Sequence, residues 1–171
     1  MTKTASPILI SACLLGREVR YDGKANLVTH PALARWRERD RLVAVCPEVA
    51  GGLGTPRPPA EMTQPAGAAV LAGDAKVMTT AGVDVTAGFR IGAEFALRLA
   101  TEQGARVAIL KARSPSCGNI AVYDGTFTGT VVDGEGVTAA LLRQNGIRVF
   151  SEEELDAAAE FVAALDQGLA T

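Results

Sequence analysis

Four short runs of apolar residues give the chain its rhythm. They cover Pro7 to Ala12, Arg41 to Cys46, Arg106 to Lys111 and Ile147 to Phe150. Each predicts a strand, and the first and third, apolar on both faces, predict buried ones. Between them the apolar spacing changes to the helical one. Ala32, Leu33 and Trp36 repeat at that spacing behind His30-Pro31, and Pro31 fits a first helical turn, so a helix is expected to about Arg39. Phe89, Ala93, Ala96, Leu97 and Ala100 share one side of a longer helix over Asp84 to Ala100. Asp84 can cap its start and Gly104 ends it. Val137 to Asn145 predicts a third helix, stopped by Gly146. Ser151-Glu-Glu-Glu154 forms a capping box that opens a last helix, Glu152 to about Asp166. Helices leading into apolar strands are the signature of parallel crossovers. The expected fold is α/β: a single domain over residues 1–171, a three-layer sandwich around a mostly parallel, Rossmann-like sheet.

Other stretches follow local rules. Pro47 to Glu61 carries enough prolines and glycines that neither a helix nor a central strand is expected there. Its prolines favour a fixed path, and it presents Glu48, Arg57 and Glu61. Gly67 to Gly73 fits no single pattern, and Ala75 to Thr79 predicts a strand or edge strand. Residues on both sides of Asp124-Gly125 alternate, which predicts a small hairpin near the active-site edge. Gly134-Glu-Gly136 precedes a helix and could let an anion approach the backbone amides. No Walker A loop is present, and a lone Gly-x-Gly is a weak signal.

Composition narrows the picture further. The chain has 171 residues, 48% hydrophobic and only 5% aromatic. A core of Ala, Val, Leu and Ile suits helices on a parallel sheet. The formal net charge of −2 offers no general attraction to nucleic acid or anionic lipid, so no nucleic-acid partner is expected. The N-terminal run Met1 to Pro7 lacks the long apolar stretch of an export signal, and no run is long enough to cross a bilayer. A cytoplasmic location is expected. The three cysteines are an odd number, which argues against a disulfide framework.

All three cysteines sit at or just past the end of an apolar run. Cys13 follows the first, Cys46 ends the second, and Cys117 lies in Lys111-Ala-Arg-Ser-Pro-Ser-Cys117-Gly118 after the third. Open α/β sheets bind ligands outside the carboxyl ends of their strands, so the three thiols are expected to meet there. Spacings of 33 and 71 residues exclude a local metal knuckle. Three outcomes stay open on the residues alone. The thiols can be inert and buried. They can join His30, the only histidine, in a closed zinc- or iron-binding Cys₃His site without catalysis. Or three thiolates can hold an iron–sulfur cluster and leave one iron without a protein ligand. A cysteine nucleophile is the weakest reading, since no Cys–His pair is evident. Among the acids, Glu48 lies two residues from Cys46 and ranks first. Asp22, in a Tyr-Asp-Gly turn, ranks second.

The runs Ile10-Ser-Ala-Cys13-Leu-Leu-Gly16, Val19-Arg-Tyr-Asp-Gly23, Cys46-Pro-Glu-Val-Ala-Gly-Gly-Leu53, Pro56-Arg57 and Ser114-Pro-Ser-Cys117-Gly118 resemble the bacterial thiouracil desulfidase family, long known only as a domain of unknown function. The similarity continues through Tyr123 to Gly129, Gly136-Val-Thr-Ala and Gly146-Ile147. It implies a [4Fe–4S] cofactor held by Cys13, Cys46 and Cys117, and a small thiolated base as substrate. The implied reaction is non-redox: a thiocarbonyl sulfur binds the open iron, and water replaces it on carbon. In this reading Glu48 or Asp22 activates the water, Ser114 and Ser116 orient the ring with loop amides, and Lys111 pairs with a carboxylate or assists departure.

Overall fold

Ile8–Ser11 and Val107–Leu110 are buried at every position, as runs apolar on both faces require. The computed structural model describes residues 5–171; the start of the N-terminal run read for an export signal lies outside the described residues. In chain order the elements are β1 (Ile8–Ser11), α1 (Pro31–Glu38), β2 (Leu42–Val45), α2 (Pro47–Ala50), β3 (Ala60–Met62), α3 (Gly67–Ala72), β4 (Val77–Thr79), α4 (Thr86–Gln103), β5 (Val107–Leu110), β6 (Ala121–Tyr123), β7 (Val131–Asp133), α5 (Val137–Gln144), β8 (Arg148–Ser151) and α6 (Leu155–Asp166). Short 3-10 turns occupy Ala12–Leu15 and Glu152–Glu154.

Strands β1, β2, β5 and β8 form one parallel sheet in the order β2-β1-β5-β8. Alternate side chains leave it in opposite directions. Ile8, Ile10, Val107 and Ile109 meet Leu33 and Trp36 of α1 and Leu155, Ala158 and Val162 of α6. Leu9, Ala108 and Leu110 meet Ala96 and Ala100 of α4 and Ala139 and Leu142 of α5. The result is the expected α/β sandwich, with helices on both faces. A third apolar cluster, with Met62, Val70, Val77, Phe89 and Val122, lies under two small antiparallel pairs, β3–β4 and β6–β7.

The strand order places the site. From β1 the chain passes to β2 at one edge, and from β5 it passes to β8 at the other. Connections leaving β1 and β5 therefore diverge, and their carboxyl ends flank a topological switch point, where such sheets leave a crevice.

Two expectations need correction. The Pro- and Gly-rich stretch after Cys46 holds a one-turn helix, α2, and a short strand, β3. Pro47 takes the first helical position, where its missing N–H costs nothing. The helix lies hard against α4 because Gly88 and Gly92 present no side chain there. A Cβ on Gly92 would stand 1.9 Å from the Pro47 carbonyl oxygen, and one on Gly51 would stand 1.9 Å from that of Gly88. The hairpin also differs. Its arms are β6 and β7, so the loop runs over residues 124–130 and is not a two-residue Asp-Gly turn. The Asp124 side chain instead accepts from the Thr126 amide at 2.9 Å and folds the loop on itself.

At the start of α4 the expectation shifts by one residue: Val85 takes the cap position without a side-chain bond, and Asp84 Oδ1 accepts the Thr86 amide at 2.9 Å in the turn just before it. Gly104 closes α4 with φ 71°, and the Ser151–Glu154 capping box is complete. The stretch 67–73 resolves into α3 and its Gly73 cap.

Candidate active site

Each cysteine is placed by the end of a strand of the main sheet. Cys13 sits in the 3-10 turn that leaves β1, Cys46 links β2 to α2, and Cys117 lies in the loop after β5. All three thiols are free and line one cavity of about 780 Å³. Cys13 and Cys117 are buried and Cys46 is half-buried. Burial pushes the Cys13 thiol up to about 11, with further upward pressure from Cys46. Burial pushes Cys117 up to about 12, partly offset by a hydrogen bond from Ser11. Cys46 is raised as well, mainly by desolvation. In the metal-free chain, then, none of the three is a ready thiolate at neutral pH, and the reading of one as a simple nucleophile loses its support.

The Cys117 loop is fixed from both sides. Ser114 Oγ accepts the amides of Ser116 and Cys117, at 3.2 and 3.1 Å. On the far side, the first amides of α5 donate to the loop's carbonyls: Gly136 to Gly118, Val137 to Pro115 and Thr138 to Ser116, at 2.7–2.9 Å. Gly134-Glu-Gly136 thus serves the protein's own backbone, and the amides considered for an anion are spent. A Cβ at Gly136 would come within 2.4 Å of the Ser116 backbone, so only glycine allows this approach.

Glu48 reaches the cavity from the first turn of α2. Its Oε2 accepts from both Nε (3.1 Å) and Nη2 of Arg57. Arg57 spends its remaining N–H groups on the carbonyls of Val19 and Gly54 and the Thr55 hydroxyl, and its own amide donates to the Tyr21 carbonyl. One buried guanidinium therefore ties Glu48 to the loops on either side of it. Lys111 pairs with Glu152 at 2.9 Å and donates to the Ala112 carbonyl, while Glu152 also accepts the Ala112 amide at 2.7 Å.

Two predicted site residues are not brought to the cavity. Asp22 turns into its own loop, where Oδ1 accepts the Lys24 amide at 3.1 Å and Oδ2 lies 3.6 Å from Arg20. Ser116 is 1% exposed and shares a 2.7 Å hydrogen bond with Thr138, so it joins the Cys117 loop to α5. Ser114, Lys111 and Glu48 do line the cavity. Arg57 and Ser11 carry no role that can be read from their own stretch of sequence. Ser11 stands two residues from Cys13 but serves Cys117, and no local signal reveals that. Glu152 was visible only as part of a helix start.

His30 does not join the thiols. Its Nδ1 accepts the Ala32 amide at 3.1 Å and its Nε2 lies 3.1 Å from Asp156, at the amino end of α1. A closed Cys₃His site is thereby disfavoured. Among the described residues, no three Cys, His, Asp or Glu side chains converge on a single point as a lone ion requires. Three thiols around one cavity, not meeting at a point, fit a polynuclear group that spans them. A cationic cluster also supplies what their raised pKa values lack, a reason to ionise.

Comparison with known proteins agrees with this geometry. The family model for 2-thiouracil desulfurase matches residues 8–154, which include all three cysteine loops. The uncharacterized protein YbbK of Bacillus subtilis (strain 168) is 47% identical over 152 residues, covering 87% of this chain and 97% of that protein. A solved structure of the [4Fe-4S]-dependent thiouracil desulfidase TudS (DUF523Vcz) superposes with a TM-score of 0.85 at 47% identity, over 92% of this chain and 98% of the other. With the match running from β1 into the last capping box, this chain belongs to the 2-thiouracil desulfurase family.

Proposed function

We propose that this protein is a [4Fe–4S]-dependent desulfidase that hydrolyses the thiocarbonyl of a thiolated pyrimidine such as thiouracil. Water supplies the oxygen, the oxo-pyrimidine and sulfide leave, and no electrons are exchanged. The observation that carries this reading is the set of three free thiols from three strand ends on one cavity, with no fourth cysteine in the chain. Cys13, Cys46 and Cys117 would hold the cluster. Bound there, it supplies a Lewis-acidic iron without a protein ligand, suited to a substrate sulfur.

The remaining steps belong to the chain. Glu48 is held by Arg57 through Oε2, so Oε1 is left to take a proton from water beside the substrate. Ser114 accepts two amides and keeps its own O–H to orient the substrate in the cavity it lines. Lys111, engaged by Glu152, fixes the strand end behind Cys117 and acts in our reading as a structural cation. The whole chain acts as one domain in this proposal, on a small molecule. A cytoplasmic location fits three unpaired thiols; no helix among the described residues is long and apolar enough to cross a membrane.

Protein prepared without oxygen should be brown and contain about four iron and four sulfide per chain. Replacing Cys13, Cys46 or Cys117 with Ala should remove cluster and thiouracil turnover together. His30→Ala should keep both. Stoichiometric zinc without labile sulfide would overturn the proposal.

A further inference from the structure

Glu61 is a carboxylate with one oxygen spoken for and one left over. It lies on β3, paired with Met78 across the β3–β4 ladder, and is only 9% exposed. Its Oε1 accepts the amides of Gly125 and Phe127, at 2.9 and 3.3 Å. Its Oε2 has no hydrogen-bond partner among the described residues. Yet no buried side-chain oxygen or nitrogen there lacks a partner, so Oε2 is not sealed inside the protein. Glu61 lines the same cavity as the three thiols, and Oε2 is the carboxylate oxygen that the protein's own hydrogen bonds leave unused there.

Its neighbours indicate what would approach. Phe89, Tyr123 and Phe127 line the cavity with it. Phe127 is held with φ 57°, in the left-handed region that side chains other than glycine rarely adopt. The Glu61 bond to its amide helps to keep it there. Such strain persists where the surroundings enforce it, commonly at ligand sites. The 124–130 loop is also pressed close to β3, where a Cβ on Gly125 would meet the Met62 carbonyl oxygen at 2.6 Å. A fixed acceptor beside aromatic side chains suits a flat ring that carries N–H donors.

We propose that Oε2 of Glu61 accepts a hydrogen bond from a ring N–H of the thiolated pyrimidine and so selects the base. This rests on the desulfidase reading above. A site built to pair with an N–H rejects analogues lacking it, because the acceptor is left buried and unpaired.

Glu61→Gln separates this role from simple support of the loop. The amide oxygen can still accept from Gly125 and Phe127, while an NH₂ group replaces the free oxygen and faces the substrate donor with another donor. The holoenzyme and this variant are compared on 2-thiouracil, 1-methyl-2-thiouracil and 3-methyl-2-thiouracil, with iron content and melting temperature as checks. The parent should reject at least one N-methyl analogue by about 10²-fold or more in kcat/KM. The variant should keep its iron, lose roughly 10–100-fold in kcat/KM on 2-thiouracil and discriminate far less against that analogue. Uracil binding by calorimetry should weaken in parallel. An active parent that accepts both methylated bases as well as 2-thiouracil overturns the inference, even if the variant does not fold. So does a folded variant with parental kinetics. A parent inactive on every thiouracil overturns the desulfidase reading, and the inference with it.

Discussion

Glu48 shows how much the placing of one side chain depends on another. The side-chain N–H groups of Arg57 are all engaged by Glu48 and by three loop positions, so Arg57 holds the carboxylate through Oε2 and leaves Oε1 free of it, the oxygen to which the proposal gives the proton transfer. Glu48→Gln keeps the shape and an acceptor for Arg57 but cannot take a proton. Turnover should fall roughly 10²–10⁴-fold with iron and sulfide content unchanged. Asp22→Asn should leave turnover at the parental level, since Asp22 does not line the cavity. Equal activity of Glu48→Gln and parent would remove Glu48 from the mechanism. The cysteines were legible because each follows an apolar run, and strand ends are where such sheets gather ligands. Glu152 was not. Its sequence neighbours explain it as part of a helix start, whereas its carboxylate reaches 40 residues back to the Ala112 amide. Ser116 was misread for the same reason: proximity to Cys117 in sequence does not say which way a hydroxyl turns.

At the scale of elements, α2 carries Glu48 and is capped by Cys46, and a lone turn is not stable by itself. Its place is set by α4, through Gly88 and Gly92. On helix propensity alone, Gly92→Ala should stabilise α4 by about 1 kcal/mol. The contact decides otherwise, because the new Cβ would fall 1.9 Å from the Pro47 carbonyl oxygen and two backbones must separate. Overpacking of this kind costs typically about 1–3 kcal/mol. Gly92→Ala should therefore melt earlier and retain less iron after anaerobic preparation, as Cys46 and Glu48 shift with α2. Parental iron content in this variant would show that α2 can move without disturbing the site. The sequence concealed α2 for a physical reason. Its helical turn is made by a distant glycine pair, while the prolines and glycines around it signal only loop. The strands of the main sheet were legible as short apolar runs, and the four longer helices by an apolar spacing set by packing against that sheet.

For the whole molecule, the question is whether the cofactor holds the fold or only the site. Both large apolar clusters lie on the faces of the sheet and are built from β1, β5 and helices α1, α4, α5 and α6. The cysteines hang from one edge of this framework. Without a cluster their pKa values are raised, to about 11 for Cys13 and about 12 for Cys117, so at neutral pH they are uncharged and removal leaves no buried thiolate. Cluster-free protein should thus keep its far-ultraviolet circular dichroism at pH 7. Amide exchange should quicken in the loops around Cys13, Cys46 and Cys117 before β1 and β5. Alkaline pH changes the balance. An unfolded thiol loses its proton near pH 8.5, well before the folded one. The unfolded chain then binds fewer protons, and stability falls as pH rises from about 8.5 towards 11, by up to about 1.4 kcal/mol per pH unit for each thiol. Other groups titrate in that range, so the comparison that isolates the thiols is between the cluster-free parent and cluster-free Cys13→Ala and Cys117→Ala. Each variant should show a shallower decline of melting temperature between pH 8 and pH 10. Slopes identical to the parent's would mean that the thiols are not buried in the cluster-free protein, and global unfolding at pH 7 would mean that the cluster holds the fold as well as the site.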